Sequence, residues 1–83
     1  MTDLRIRYFA GAAQAAGTHE TTVAVADGQT LASLCDTLAA GNERLEKVLA
    51  VSSFVIDGVV TKDRNALVSK AATLDILPPF AGG

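Results

Sequence analysis

The 83-residue sequence predicts a two-layer α+β domain, in which one main helix covers a mixed sheet of about four or five strands. Three observations predict it. Near the start, Leu4, Ile6 and Tyr8 alternate with Arg5, Arg7 and Phe9, the period of two that marks a strand with one buried face. In the middle, Leu31, Leu34, Cys35 and Leu38 fall at i, i+3, i+4 and i+7, the apolar stripe of an amphipathic helix. Later, Asp57-Gly58 separates two runs of β-branched residues, and this dipeptide favours a two-residue type I′ hairpin turn.

The elements follow in order. A first strand is expected over residues 4–10. Residues 11–17 form a small-residue connection with room for one helical turn over 12–16. Residues 18–26 are rich in β-branched side chains and read as a second strand, antiparallel to the first and closed by Asp27-Gly28. Thr30 stands where a helix N-cap belongs, and Gly41 where a left-handed residue ends the helix. Asn42 caps a short second helical piece over 43–49, with Leu45, Val48 and Leu49 inward. Residues 53–56 and 59–61 form the hairpin, and 62–72 is a mixed surface stretch anchored by Leu67 and Val68. The last strand, 73–77, turns Leu74 and Ile76 inward and Asp75 and Leu77 outward. If it lies beside the first strand, the helix supplies the long crossover that a parallel pair needs. That order is the β-grasp, or ubiquitin-like, arrangement, and it would set Arg7 opposite Asp75. The domain is expected over 1–77, with 78–83 as an extended tail.

Composition narrows the function. Hydrophobic residues at 49% exclude a disordered chain, and the length allows one core. A net charge of −2 argues against nucleic acid as a partner, because phosphate binding needs a basic face. No apolar run approaches membrane-spanning length, so no membrane contact is expected. The start, Met1-Thr2-Asp3, lacks the basic segment of a secretory leader, and a lone cysteine suits a reducing compartment. A cytoplasmic protein is expected.

Side-chain chemistry is sparse. Cys35 lies on the helix stripe and reads as a core residue, and the single His19 reads as exposed, with no second ligand for a metal near it. Gly11 and Gly17 lack the strand–turn–helix setting of a phosphate loop. No acid–base pair or nucleophile with its base is apparent, so the chain is not expected to be an enzyme by itself. Its distinctive group is the tail. Pro78-Pro79 stiffens the exit from the last strand, and the four following residues reach at most about 13–14 Å. Gly82 and Gly83 carry no side chain, so a terminal carboxylate could pass through a slot as narrow as the backbone. Phe9, Leu77 and Phe80, with Val60 as a candidate neighbour, would form an apolar docking patch where the tail departs.

Three segments resemble one family: Arg7-Tyr8-Phe9-Ala10, Val55-Ile56-Asp57-Gly58 and Leu77-Pro78-Pro79-Phe80-Ala81-Gly82-Gly83. They are similar to the small subunit of molybdopterin synthase, a ubiquitin-like sulfur carrier. The resemblance implies that the Gly83 carboxylate is adenylated by an ATP-dependent activating enzyme and converted to a thiocarboxylate by a sulfur donor. It implies that Phe80, Ala81 and Gly82 enter the large subunit of the synthase, while Phe9, Val60, Leu77, Pro78 and Pro79 face that partner. The sulfur would then pass to cyclic pyranopterin monophosphate in molybdenum cofactor biosynthesis. No cofactor is expected on this chain, since the ATP is used by the activating enzyme. Two stretches depart from the family pattern. An Arg-Glu pair usual after the first strand is replaced by residues 11–16, and a Gly-Asp turn before the last strand by Lys70-Ala71-Ala72-Thr73. Sulfur carriers of thiazole or cysteine synthesis and ubiquitin-like modifiers share the Gly-Gly end and stand as alternatives.

Overall fold

The computed structural model describes residues 2–79, so the tail residues Phe80, Ala81, Gly82 and Gly83 lie outside the described region. The elements are β1 (Thr2–Tyr8), α1 (Gly11–Ala16), β2 (Glu20–Val25), α2 (Leu31–Leu38), α3 (Glu43–Val51), β3 (Ser53–Ile56), β4 (Val59–Thr61) and β5 (Thr73–Leu77). They build one five-stranded sheet in the order β2-β1-β5-β3-β4. β1 and β5 run parallel, and every other neighbouring pair is antiparallel. This is the β-grasp arrangement expected from the element order.

Alternation along β1 sends Leu4, Ile6 and Tyr8 into the core and leaves Arg5 and Arg7 outside. Leu74 and Ile76 of β5 and Phe54 of β3 line the same inner face, all fully buried. β1 begins earlier and ends earlier than the alternation implied, because Phe9 and Ala10 leave the ladder for a turn. β2 is likewise shorter than its β-branched run, since Thr18 turns its hydroxyl onto the Glu20 carbonyl and Thr18–His19 stay outside the strand.

The helical layer is divided among three short helices rather than resting on one. α2 has 8 residues and α3 has 9. Thr30 caps α2 by accepting the Ser33 N–H at 3.2 Å. Gly41 is left-handed at φ 74°, and Asn42 starts a new helix. The Asn42 side chain accepts the Leu45 N–H at 3.0 Å and donates to the Ala15 carbonyl at 2.8 Å, tying α3 to the end of α1. Leu31, Leu34 and Cys35 are buried on α2, whereas Leu38 is half-buried.

The irregular stretch between β4 and β5 is pinned by the unpaired ends of helices. Carbonyls of Ala66 and Arg64 accept the first helical N–H groups of α2, from Leu31 and Ala32, at 2.8 and 2.9 Å. Of the two expected anchors, Val68 is buried but Leu67 is 59% exposed. Leu67 instead forms a backbone bridge with Thr30, so its backbone rather than its side chain holds the stretch. The Arg64 guanidinium donates to the Leu49 carbonyl in α3 and to Cys35 Sγ at 3.5 Å, and lies 4.8 Å from the centre of the Phe54 ring. Burial pushes the Cys35 thiol up despite this neighbouring charge. Among the described residues, no helix is long and apolar enough to cross a membrane.

Asp57-Gly58 forms the expected hairpin turn, with φ 47° and 86°. Asp57 does more than turn the chain. Its Oδ1 accepts the N–H groups of Ala72 and Thr73 at 3.0 and 2.9 Å, fastening the hairpin to the start of β5. These bonds favour the ionised carboxylate and lower its pKa below the ordinary 3.8. A depressed folded-state pKa contributes stability that is complete above the unfolded value and is lost as pH falls through the folded one. Stability should therefore decline as the pH drops below about 3.8, and Asp57→Asn, which keeps a turn-forming residue, should flatten that decline in urea unfolding across the acid range. Cys35→Ala should lower unfolding free energy by about 1 kcal/mol, the ordinary scale for a small core truncation. Arg64→Ala should cost more, about 2 kcal/mol, because it strips a donor from the α3 carbonyl and a cover from Phe54. Equal losses in the same urea titration would contradict the role given to Arg64.

Candidate functional site

The parallel register sets the site. Tyr8 lies opposite Ile76, and the Phe9 N–H still reaches the Ile76 carbonyl at 3.2 Å. Phe9, just past the end of β1, therefore lies beside Leu77, the last residue of β5, at the edge from which Pro78 and Pro79 continue. Phe9, Ala10, Leu77 and Pro78 line an open hollow of about 400 Å³ with no charged side chain in its wall. Phe9 is 40% exposed, Pro78 half-buried and Pro79 exposed. The β5 strand ends at Leu77, and Pro78 and Pro79 follow outside the ladder.

Arg7 and Asp75 are directly opposite on the outer face and form the expected pair. It is a two-pronged contact: Nε donates to Oδ1 at 2.7 Å and Nη2 to Oδ2 at 2.8 Å. The carboxylate raises the arginine further above its usual pKa. The guanidinium lies 5.7 Å from the centre of the Phe9 ring, so the ion pair abuts one wall of the hollow. Arg5 on the same face pairs with Glu20 at 3.0 Å.

Val60, expected beside this patch, does not line the hollow. Its register partner is Val55, which in turn faces Asp75, so Val60 belongs to the Arg7–Asp75 row. β3 separates its strand from β5, and Val60 stands 67% exposed at the sheet edge. The expected patch therefore comes together through Phe9 and Leu77 but excludes Val60, while the place of Phe80 lies outside the described residues.

The sequence reading missed Ala10. The Ala12 N–H bonds to the Phe9 carbonyl at 3.0 Å, closing a tight turn directly after Phe9. Ala10 holds the first central position at φ 49° and ψ −126°, close to the type II′ values at which glycine dominates. Ala10 also borders a second hollow of about 310 Å³, with Ala13, Gln14, Gly17, Thr18 and His19. Gly11 hinted at a turn, but the positive φ falls one residue earlier. His19 is exposed, and its carbonyl accepts the Tyr8 N–H at 2.9 Å. Among the described residues, no three His, Cys, Asp or Glu side chains gather as a metal site would need.

No curated protein sequence matches the chain. The family model for the ThiS family matches residues 6–83, nearly the whole sequence. The chain belongs to the ThiS family, within the ubiquitin-like sulfur carriers. Its fold is similar to that of SAMP1 from Haloferax volcanii (TM-score 0.77, 22% identity, covering 99% of this chain and 100% of that one). It is also similar to a putative molybdopterin converting factor subunit 1 from Pyrococcus furiosus (TM-score 0.70, 16% identity, 96% and 100% covered). A third likeness is to a chain in a complex of subunits 1 and 2 of molybdopterin-converting factor from Helicobacter pylori (TM-score 0.63, 19% identity, 99% and 100% covered). At these identities the likeness establishes the fold.

Proposed function

We propose that this ThiS-family chain is the sulfur-carrying small subunit of molybdopterin synthase, with the Gly83 carboxylate as the group that bears sulfur. One observation carries the reading: β5 hands over to Pro78-Pro79 beside an apolar hollow built by Phe9, Ala10, Leu77 and Pro78, and the sequence goes on as Phe80-Ala81-Gly82-Gly83. A rigid exit, a side-chain-free end and an apolar surface next to it are the three parts that a delivered terminus requires.

The chemistry follows from the carboxylate. With an ordinary pKa of about 3.3–3.7 it is ionised at neutral pH and resists nucleophiles. Adenylation by an ATP-dependent activating enzyme replaces one oxygen's charge with a leaving group. A persulfide donor then displaces AMP to give an acyl disulfide, and a thiol reduces the S–S bond to release the thiocarboxylate. The large synthase subunit takes in Phe80, Ala81, Gly82 and Gly83, supplies the catalytic groups, and directs the sulfur onto cyclic pyranopterin monophosphate. Leu77, Pro78 and Pro79 guide the tail, and Phe9 anchors the docking surface. The named subunit 1–subunit 2 complex of the Helicobacter protein supports a large-subunit partner of this kind.

The same activation step would serve a carrier for thiazole or cysteine synthesis, or a modifier that joins Gly83 to lysines. The likeness to SAMP1, a protein named as a small archaeal modifier, keeps the second of these in play. The Leu77-Pro78-Pro79-Phe80 approach favours the pterin reading.

Deleting Gly83 should abolish pterin sulfuration in a reconstituted assay, because the remaining carboxylate falls short by roughly 3.3–3.6 Å. A misplacement of about 1 Å can already lower a rate a hundredfold. Adding one residue after Gly83 should have the same effect. Calorimetric titration against the large subunit should show docking of both variants, since the surface around Phe9 is unchanged. Full sulfuration by either variant would remove the terminus from the chemistry.

A further inference from the structure

Ala10 keeps a side chain where the backbone favours none. At φ 49° and ψ −126°, it occupies a turn position that suits glycine. Non-glycine residues in such regions are strained, and they persist where something else requires them. Nothing in the fold requires this methyl group. Ala10 is exposed, and its contribution to α1 is a carbonyl that accepts the Ala13 and Gln14 N–H groups, which glycine would supply equally. What the methyl does form is the ridge between two hollows. Ala10 borders the apolar one with Phe9, Leu77 and Pro78, and also the one beside α1 that reaches Gln14 and His19.

We propose that the Ala10 methyl is a contact for the protein that takes up the tail, and that the strained turn is retained in order to present it. The inference rests on the reading of this chain as a tail-donating carrier. The occupant is an apolar surface of that receiving protein. Four residues follow Pro79, a reach of at most about 13–14 Å. A protein that draws Gly83 into its active site must therefore lie over Pro78 and the hollow that Pro78 borders. The wall there is apolar, so the surface that fits it is apolar, and the Ala10 ridge registers that surface between Phe9 on one side and α1 on the other. Ala10 thus acts as a specificity-determining contact rather than a fold-determining residue.

Two substitutions separate contact from conformation. Ala10→Gly relieves the turn and removes the methyl; Ala10→Asn keeps a Cβ, and with it the strain of the turn, but places a polar group on the ridge. The full-length chain and both variants are titrated calorimetrically against the large synthase subunit, and thermal unfolding is recorded for each. Ala10→Gly should unfold about 4 °C higher or more, yet bind about three- to fivefold more weakly, the loss expected for one methyl-sized apolar contact. Ala10→Asn should keep its unfolding temperature and bind about tenfold or more weakly. Both variants binding as the parent does would overturn the proposal, and so would a glycine variant less stable than the parent. The functional reading fails differently, with no binding by the unaltered chain. In that case the same three proteins titrated against the adenylating enzyme, which must also reach the terminus, decide on Ala10 by the same criteria.

Discussion

The pairing of β1 with β5 is the constraint from which the rest of the molecule follows. Two strands from opposite ends of the sequence lie parallel, with Arg5 opposite Thr73 and Tyr8 opposite Ile76. On the inner face the register stacks Ile6 beside Leu74 and Tyr8 beside Ile76 within the core. On the outer face it closes the Arg7–Asp75 fork. A slip by one residue would send the apolar set of β5 to the outside and set Asp75 against the core, so the register is firmly specified. The consequence for function is positional. Phe9 and Leu77 emerge together, and the tail leaves beside an apolar hollow.

A parallel pair demands a long crossover, and the remaining elements are arranged to make that crossover rigid. The helices are short, and isolated helices of such length are marginal in water. They are held by tertiary bonds to one another's ends. Asn42 joins α3 to α1, the carbonyls of Arg64 and Ala66 complete the start of α2, and the Arg64 side chain reaches a carbonyl of α3. Asp57 performs the same task on the sheet side, linking the β3–β4 turn to the first residues of β5. Asp57 thereby fixes the start of β5, the strand whose far end hands over to the prolines.

Local pattern made most of this fold legible. The alternation of Leu4, Ile6 and Tyr8, the Thr30 cap, the Asn42 cap and the Asp57-Gly58 turn each depend on residues a few positions apart, and each is present. The Arg7–Asp75 pair was legible because element order alone sets those strands side by side. What escaped the sequence depends on distant partners. Val60 was a candidate neighbour of the patch, but strand order places β3 between its strand and β5. Leu67 looked like a core anchor, yet the stretch is held through backbone bonds to α2. Arg64 carried no local mark of its three contacts, and the strained φ at Ala10 sits beside a glycine that would have been the natural guess. The division of the helical layer into short pieces follows from Gly41, whose stop signal was legible although its effect on the cover of the sheet was not.

In the proposed function the reactive group is the Gly83 carboxylate, which the folded body would aim and dock. The one cysteine is buried beside Arg64 with its thiol pKa raised, a poor setting for a sulfur-accepting nucleophile. Intact mass spectrometry followed by peptide mapping tests this assignment most directly, after incubation of the chain with ATP, the activating enzyme and a persulfide donor. One oxygen should be exchanged for sulfur, with the change confined to the peptide that ends in Gly83. Sulfur found on the Cys35 peptide, or an unmodified terminus in the presence of an activating enzyme competent on another carrier, would contradict it.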